Sequence, residues 1–201
     1  MRAVIICGGN VGEYILDYVK DTDYVICADS GYDRARQYGI KPNIVIGDMD
    51  SVKSSYQDEN VRIFPAKKDF TDSELALKYA IDEGFCNILM FGMIGTRFDH
   101  SYANISLLLN CVGKDVCIID SNNIIHMVCN EITIEGTIGD TVSILPFSSD
   151  IEGVTTDGLE YPLSDSVIKL GTSLGVSNKM TAETCRITIK KGTALVIRSK
   201  D

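Results

Sequence analysis

The chain reads as α/β, with an N-terminal Rossmann-like parallel sheet carrying helices on both faces and a C-terminal antiparallel β-sandwich. Three observations predict this. Up to about residue 121, short continuous apolar runs alternate with segments of helical period, the pattern of strands buried on both faces of a parallel sheet. From residue 122 the pattern becomes strand-like runs separated by glycine-containing turns, with no convincing helix between them. The acidic clusters, finally, come directly after apolar runs or open a helix, where an α/β sheet gathers its functional loops. The expected domains are therefore 1–121 and 122–201, closely packed and without a long linker or internal repeat.

In order, Ala3-Val4-Ile5-Ile6-Cys7 is the first buried strand, ending at Gly8-Gly9-Asn10, and Ile15, Leu16 and Val19 follow at helical spacing. Tyr24 to Ala28 is the second strand, ending at Asp29-Ser30-Gly31 before a helix that carries Arg34 and Tyr38. Asn43 to Ile46 is the third, and it delivers Gly47-Asp48-Met49-Asp50-Ser51. Val61 to Phe64 comes next. A helix then runs from Thr71 to Glu83, opened by a capping box with Thr71 as cap and Glu74 at the third position. Asn87 to Phe91 is a strand, Asp99 to Cys111 a helix, and Val116 to Asp120 a strand. In the second half, 124–129, 131–135, 141–145, 167–170, 185–189 and 194–197 are strand-like, with Gly136, Gly139, Gly153, Gly158 and Gly192 marking turns.

Composition narrows the partners. A net charge of −9 disfavours a polyanion such as nucleic acid and suits a small cation, or an anion delivered with Mg²⁺. Seven cysteines are scattered without CxxC spacing, which points to a reducing cytoplasm. The apolar run after Met1 breaks at Gly8-Gly9, too early for a signal peptide, and nothing approaches the length of a membrane span.

The acids carry the chemistry. Asp48 and Asp50 leave the end of a buried strand and point to one side. Alone they also read as a turn, since Gly-Asp and Asp-Ser are common turn pairs. Asp29, Asp69 and Asp72 at the ends of neighbouring elements shift the balance toward a site. Asp72 alone would satisfy the helix dipole, but that leaves Lys68 and Asp69 unexplained. Crowded carboxylates need a cation, and oxygen ligands with few His or Cys nearby favour Mg²⁺. The strand-to-helix loop Gly92 to His100 offers backbone N–H groups and Arg97 for phosphate, although it is neither a Walker A loop nor a GxGxxG fingerprint. His100 reads more readily as a helix-start residue than as a base, and His126 has no expected chemical role. Ser173, Ser177 and Asn178 lie in a polar loop able to orient a small ligand.

Taken together and in order, Ala28-Asp29-Ser30-Gly31, Gly47-Asp48-Met49-Asp50-Ser51, Lys68-Asp69-Phe70-Thr71-Asp72, Gly95-Thr96-Arg97-Phe98-Asp99-His100 and Ser177-Asn178 resemble the signatures of the thiamine pyrophosphokinase (thiamine diphosphokinase) family. The resemblance covers most of the chain. It implies ATP and thiamine as substrates, AMP and thiamine diphosphate as products, and a homodimer with thiamine near the subunit interface. It also implies Mg²⁺ held by Asp48, Asp50 and Asp72, with Asp29 in support. Arg97 holds phosphate on that view, with Lys68 and His100 also on the ATP side. Asp99 lies near the thiamine hydroxyl or the metal, and Ser177 and Asn178 bond the aminopyrimidine. Lys179 stands where bacterial members often carry Glu, and with no Trp in the chain Met180 is left to supply apolar contact.

The chemistry is compatible with these residues. In-line attack on the β-phosphorus needs charge neutralisation rather than a nucleophilic side chain, with Asp99 or Asp72 as candidate base. Two alternatives stand beside it. Asp48-Met49-Asp50-Ser51 also resembles the nucleophile motif of an aspartyl-phosphate phosphatase, and a non-catalytic thiamine- or nucleotide-binding sensor would use the same pocket.

Overall fold

The computed structural model of the chain describes residues 1–47, 61–63 and 69–200. It falls into two units, Met1–Leu108 with Lys114–Ser121, and Leu109–Gly113 with the residues from Asn122 onward. Asp48, Asp50 and Lys68 lie outside the described residues.

The first unit is built on β1 (Ala3–Ile6), β2 (Tyr24–Ala28), β3 (Ile44–Gly47), β4 (Val61–Ile63), β5 (Asn87–Phe91) and β6 (Asp115–Ile119). They lie in the order β6-β5-β1-β2-β3-β4, and every pairing is parallel. β1 and β3 are buried at every position, as the unbroken apolar runs require. The chain steps outward from β1 to β4 and then returns to place β5 on the other side of β1. The order therefore reverses between β1 and β5, and a crevice opens beyond their C-terminal ends.

Helices α1 (Gly31–Gln37), α2 (Asp72–Asp82) and α3 (Phe98–Leu107) connect the strands. α2 buries Ala76, Leu77 and Ala80, and packs against β2 and β3. Its cap is the one read in the sequence, because Thr71 is extended at φ −76° and ψ 159° and its Oγ1 accepts from the Glu74 N–H at 3.3 Å. Thr71→Ala should cost about 1 kcal/mol, measured as a lower urea midpoint at unchanged slope.

The segment after β1 departs from expectation. Instead of a helix carrying Ile15, Leu16 and Val19, it forms a single 3₁₀ turn over Glu13–Asp17, in which Ile15 is the buried residue. The apolar spacing was real but covers one turn, and Gly12 at its start offers no side-chain cap.

The second unit contains β7 (Asn123–Val128), β8 (Glu131–Glu135), β9 (Thr141–Pro146), β10 (Ile151–Asp157), β11 (Ser166–Ile168), β12 (Asn178–Lys179), β13 (Thr184–Thr188) and β14 (Ala194–Ser199). Within it β12-β9-β14-β7 and β11-β10-β13-β8 run side by side as antiparallel strands. Val142, Ile144 and Val196 from the first set meet Val154, Ile168 and Ile187 from the second in one buried cluster, the core of a sandwich. β10 was not anticipated, because Gly153 reads as a turn. The strand instead continues through it with φ at 69° and a register slip between Ile151 and Val154, a bulge that glycine accommodates.

Candidate active site

The crevice between β1 and β5 holds a cavity of about 480 Å³. Gly8 and Gly9 after β1 and Gly92, Met93 and Gly95 after β5 line it, together with Asp29, Asp72, Arg97 and His100. Four residues nominated from three separate stretches of sequence thus line one space. Asp99, Ser177 and Asn178 are not among its lining residues.

Asp29 follows β2 in the left-handed region, at φ 48°, with its N–H donating to the Ile46 carbonyl at 2.8 Å. A non-glycine residue there is uncommon and is most often found where a site constrains the chain. Its Oδ1 is buried with no hydrogen-bond partner among the described residues. Asp72 opens α2 and turns its carboxylate toward the same place. A Cβ placed on Gly47 would stand 3.2 Å both from Asp29 Cβ and from Asp72 Oδ1, so the two acids converge over the end of β3. Burial pushes the Cys7 thiol up to about 12, and the nearby Asp72 charge adds to the shift.

This geometry provides a test of fit for a metal. A carboxylate has no proton to donate, so a buried carboxylate oxygen without a donor is compensated only by a cation, and a hard oxygen ligand suits Mg²⁺. Among the described residues no group of three or more His, Cys, Asp or Glu forms a metal cluster. Asp29 and Asp72 bring two converging carboxylates, and in the sequence β3 is followed by Asp48-Met49-Asp50.

Arg97 and Asp99 grip each other. Arg97 Nε donates to Asp99 Oδ1 at 3.2 Å and Nη2 to Oδ2 at 2.5 Å, with both side chains mostly exposed. The Arg97 hydrogen bond holds the Asp99 carboxyl below the usual range, which weakens it as a base while the pair is intact. An exposed pair of this kind is loosely held, so a phosphate can take the same fork from Arg97.

Sequence reasoning missed the residues that hold the loops in place. Ser73 Oγ on α2 donates to Asn104 Oδ1 on α3 at 2.8 Å, and Asn104 Nδ2 donates to the Met93 carbonyl at 2.7 Å. Ser101, 6% exposed, accepts from the Gly95 N–H at 3.1 Å. That bond consumes one of the backbone donors expected to face an anion. The proximity of Ser101 to the Gly95–His100 motif was its only sequence signal, and Ser73 and Asn104 had none, because only packing of α2 against α3 brings them together.

In the second unit Ser177 is left-handed at φ 58° and exposed, and its N–H donates to Ser143 Oγ at 3.0 Å. Asn178 is 7% exposed. Its Oδ1 accepts from the Tyr161 N–H at 3.0 Å and from its own neighbour Lys179 N–H at 2.9 Å, and its Nδ2 donates to the Tyr161 carbonyl at 2.7 Å. This carboxamide clasps the Tyr161 backbone. Met180, the residue left to supply apolar contact, is 1% exposed in the sandwich core.

A parallel sheet with an acid-flanked cavity at its switch point, followed by a β-sandwich, defines an α/β enzyme of the phosphate-handling kind. Comparison with known proteins gives the family. Residues 15–119 match the model "Thiamin pyrophosphokinase, catalytic domain", and residues 128–194 match "Thiamin pyrophosphokinase, vitamin B1 binding domain". Thiamine pyrophosphokinase of Bacillus subtilis (strain 168) is 33% identical over 214 residues, covering all of both chains. The crystal structure of thiamine pyrophosphokinase from B. subtilis aligns over 100% of both chains with a TM-score of 0.91 and 30% identity. That of thiamin pyrophosphokinase from Geobacillus thermodenitrificans covers 100% of this chain and 98% of its own, with a TM-score of 0.90 at 28% identity. The chain belongs to the thiamin pyrophosphokinase family.

Proposed function

We propose that the chain moves the pyrophosphoryl group of ATP to the hydroxyethyl oxygen of thiamine, releasing AMP and thiamine diphosphate. The observation that carries this reading is the buried Asp29 oxygen, unpartnered among the described residues, beside Asp72 in the switch-point cavity that Arg97 also lines. Family membership supplies the substrates.

Asp29 and Asp72, with Asp48 and Asp50 from the stretch after β3, would hold Mg²⁺. When bound, the ion neutralises charge on the polyphosphate. Arg97 exchanges Asp99 for a phosphate oxygen, which aims its donors at charge that builds on the transferred group. Release of Arg97 restores the ordinary basicity of Asp99, which can then accept the proton of the thiamine hydroxyl. His100 and Lys68 belong to the ATP side, while Ser177 and Asn178 serve thiamine. Asn178 does so by fixing the backbone of Tyr161 and by positioning Ser177. Four glycines, Gly8, Gly9, Gly92 and Gly95, line the cavity and leave room for polyphosphate oxygens to approach backbone.

The protein acts as a homodimer in the cytoplasm. In support, Leu170, Leu174 and Val176 are exposed apolar side chains on the second unit, which a second copy could cover. All seven cysteines are free, and no helix among the described residues is long and apolar enough to cross a membrane. Light scattering should give twice the chain mass.

Incubation with ATP, Mg²⁺ and thiamine, followed by chromatography, tests the reaction. AMP and thiamine diphosphate should appear in equal amounts, and chelation of the metal should stop both. ADP as product, or nucleotide consumption independent of thiamine, would overturn the reading. Binding without AMP release would identify a sensor, and a phospho-aspartate trapped on Asp48 a phosphatase.

A further inference from the structure

Asn104 stands on α3 at the edge of the cavity, half-buried, with its carboxamide between the start of α2 and the loop after β5. The protons of this bridge run in one direction. The Met93 carbonyl can only accept, so the group that meets it at 2.7 Å is the amide nitrogen of Asn104, and the amide oxygen is turned to Ser73. Ser73 Oγ therefore donates its only hydrogen to that oxygen, at 2.8 Å, and accepts from Thr71 Oγ1 at 3.0 Å. Thr71 Oγ1 in turn accepts the Glu74 N–H that caps α2. A line of hydrogen bonds with a single proton assignment thus joins the first turn of α2 to Met93. Such lines strengthen bond by bond.

Both ends of the line matter to the site. Thr71 and Ser73 flank Asp72 in the sequence, so the carboxylate that converges on Asp29 sits between two members of the line. At the other end, the Met93 carbonyl lies between those of Gly92 and Ile94, which accept from the Gly9 and Asn10 N–H groups, both at 2.9 Å. Three consecutive carbonyls after β5 are therefore occupied. A free carbonyl dipole beside a polyphosphate would repel it, and the Met93 carbonyl is the one held by a side chain. The loop runs on to Arg97, whose carbonyl accepts from Ser101 Oγ at 3.1 Å. Ser101 and Asn104, three residues apart on one face of α3, hold the two ends of this loop.

We infer that Asn104 is a positioning residue for the transfer. It locks the start of α2, with Asp72, against the loop that carries Arg97, so that the acid and the phosphate-binding cation keep a fixed separation. Asn104 acts through Ser73 and Met93 and needs no contact with the substrates. The inference rests on the pyrophosphate-transfer reading and adds the side chain that sets the geometry of the site.

The test is a double-mutant cycle with Ser73→Ala and Asn104→Leu, beside Ser73→Thr, which keeps the hydroxyl. Ser73→Ala should lower kcat about tenfold and Asn104→Leu about a hundredfold, with the KM for thiamine unchanged, as small misplacement of catalytic groups requires. The double variant should lose no more than Asn104→Leu alone, and Ser73→Thr should recover most of the wild-type rate. A second readout needs no substrate. Amide hydrogen exchange across residues 92–97, followed by mass spectrometry, should quicken in Ser73→Ala although the substitution lies on α2. The milder Ser73 pair keeps the test available if Asn104→Leu does not fold. A kcat of Ser73→Ala within twofold of wild type, a Thr variant no better than Ala, or single losses that multiply in the double variant would each overturn the inference. Unchanged exchange in 92–97 would do the same. If wild type makes no AMP, the transfer reading falls instead, and the exchange measurement still decides whether Asn104 ties α2 to the loop.

Discussion

Asp72→Asn should lower kcat by at least about a hundredfold while leaving the fold intact. Asp72 and Asp29 bring two carboxylates together over the end of β3, where the Asp29 oxygen has no donor among the described residues. Asn keeps the shape and loses the charge, so the attraction for a divalent ion falls while packing does not change. A single preorganised electrostatic group in a catalytic site is worth about 10²–10³ in rate. The fold loses little by comparison. Thr71 remains the cap of α2, and a missing acid in the first helical turn costs only about 0.3–1 kcal/mol. The measurement is kcat across a Mg²⁺ titration, beside a thermal melt. Activity within a few-fold of wild type at every Mg²⁺ concentration would remove Asp72 from the metal group.

Gly31→Ala should destabilise the protein by about 3 kcal/mol, or prevent soluble expression altogether. A Cβ at Gly31 would lie 1.9 Å from the Ile6 carbonyl oxygen, 2.6 Å from the Ile6 carbonyl carbon and 3.0 Å from Cys7 Cα. All three atoms are backbone of β1 and of the turn it enters, so no rotamer change relieves the clash. α1 would have to move off the sheet, and β1 sits near its middle. Gly95→Ala is the control. Its Cβ would stand 3.7 Å from Gly9 Cα, an ordinary contact, and the urea midpoint should hold. If both variants melt like wild type, the close approach of α1 to β1 is not what requires glycine at position 31.

Much of the architecture was legible in the sequence because two periodicities carry it. Ala3–Ile6 and Ile44–Gly47 are apolar at every position, and a strand of that kind survives only inside a covered parallel sheet. The alternation in Glu131–Glu135 marks a strand with one buried face, and Ile134 is indeed buried there while Glu131 and Glu135 are exposed. The Thr71 cap was legible because a capping box is local, needing four consecutive residues. Errors arose where a local signal met a tertiary demand. Ile15 anchors one turn rather than a helix, and Gly153 is a bulge within a strand rather than its end.

The candidate site divides along the same line. Asp29, Asp72, Arg97 and His100 could be nominated from sequence, because each follows a strand or opens a helix and the motifs come in a recognisable order. Their convergence on one cavity could not, since it depends on the chain returning from β4 to place β5 beside β1. The Arg97–Asp99 grip, the Ser73–Asn104 bridge and the clasp of Asn178 on Tyr161 were likewise invisible.

The sequence by itself determined the class of fold, the acids and the family, because hydrophobic period, cap chemistry and motif order are written in neighbouring residues. Only the tertiary structure decided which acids face each other and which side chains are consumed by internal bonds. Those properties depend on distances between residues far apart in the chain, and strand order sets such distances where local pattern does not.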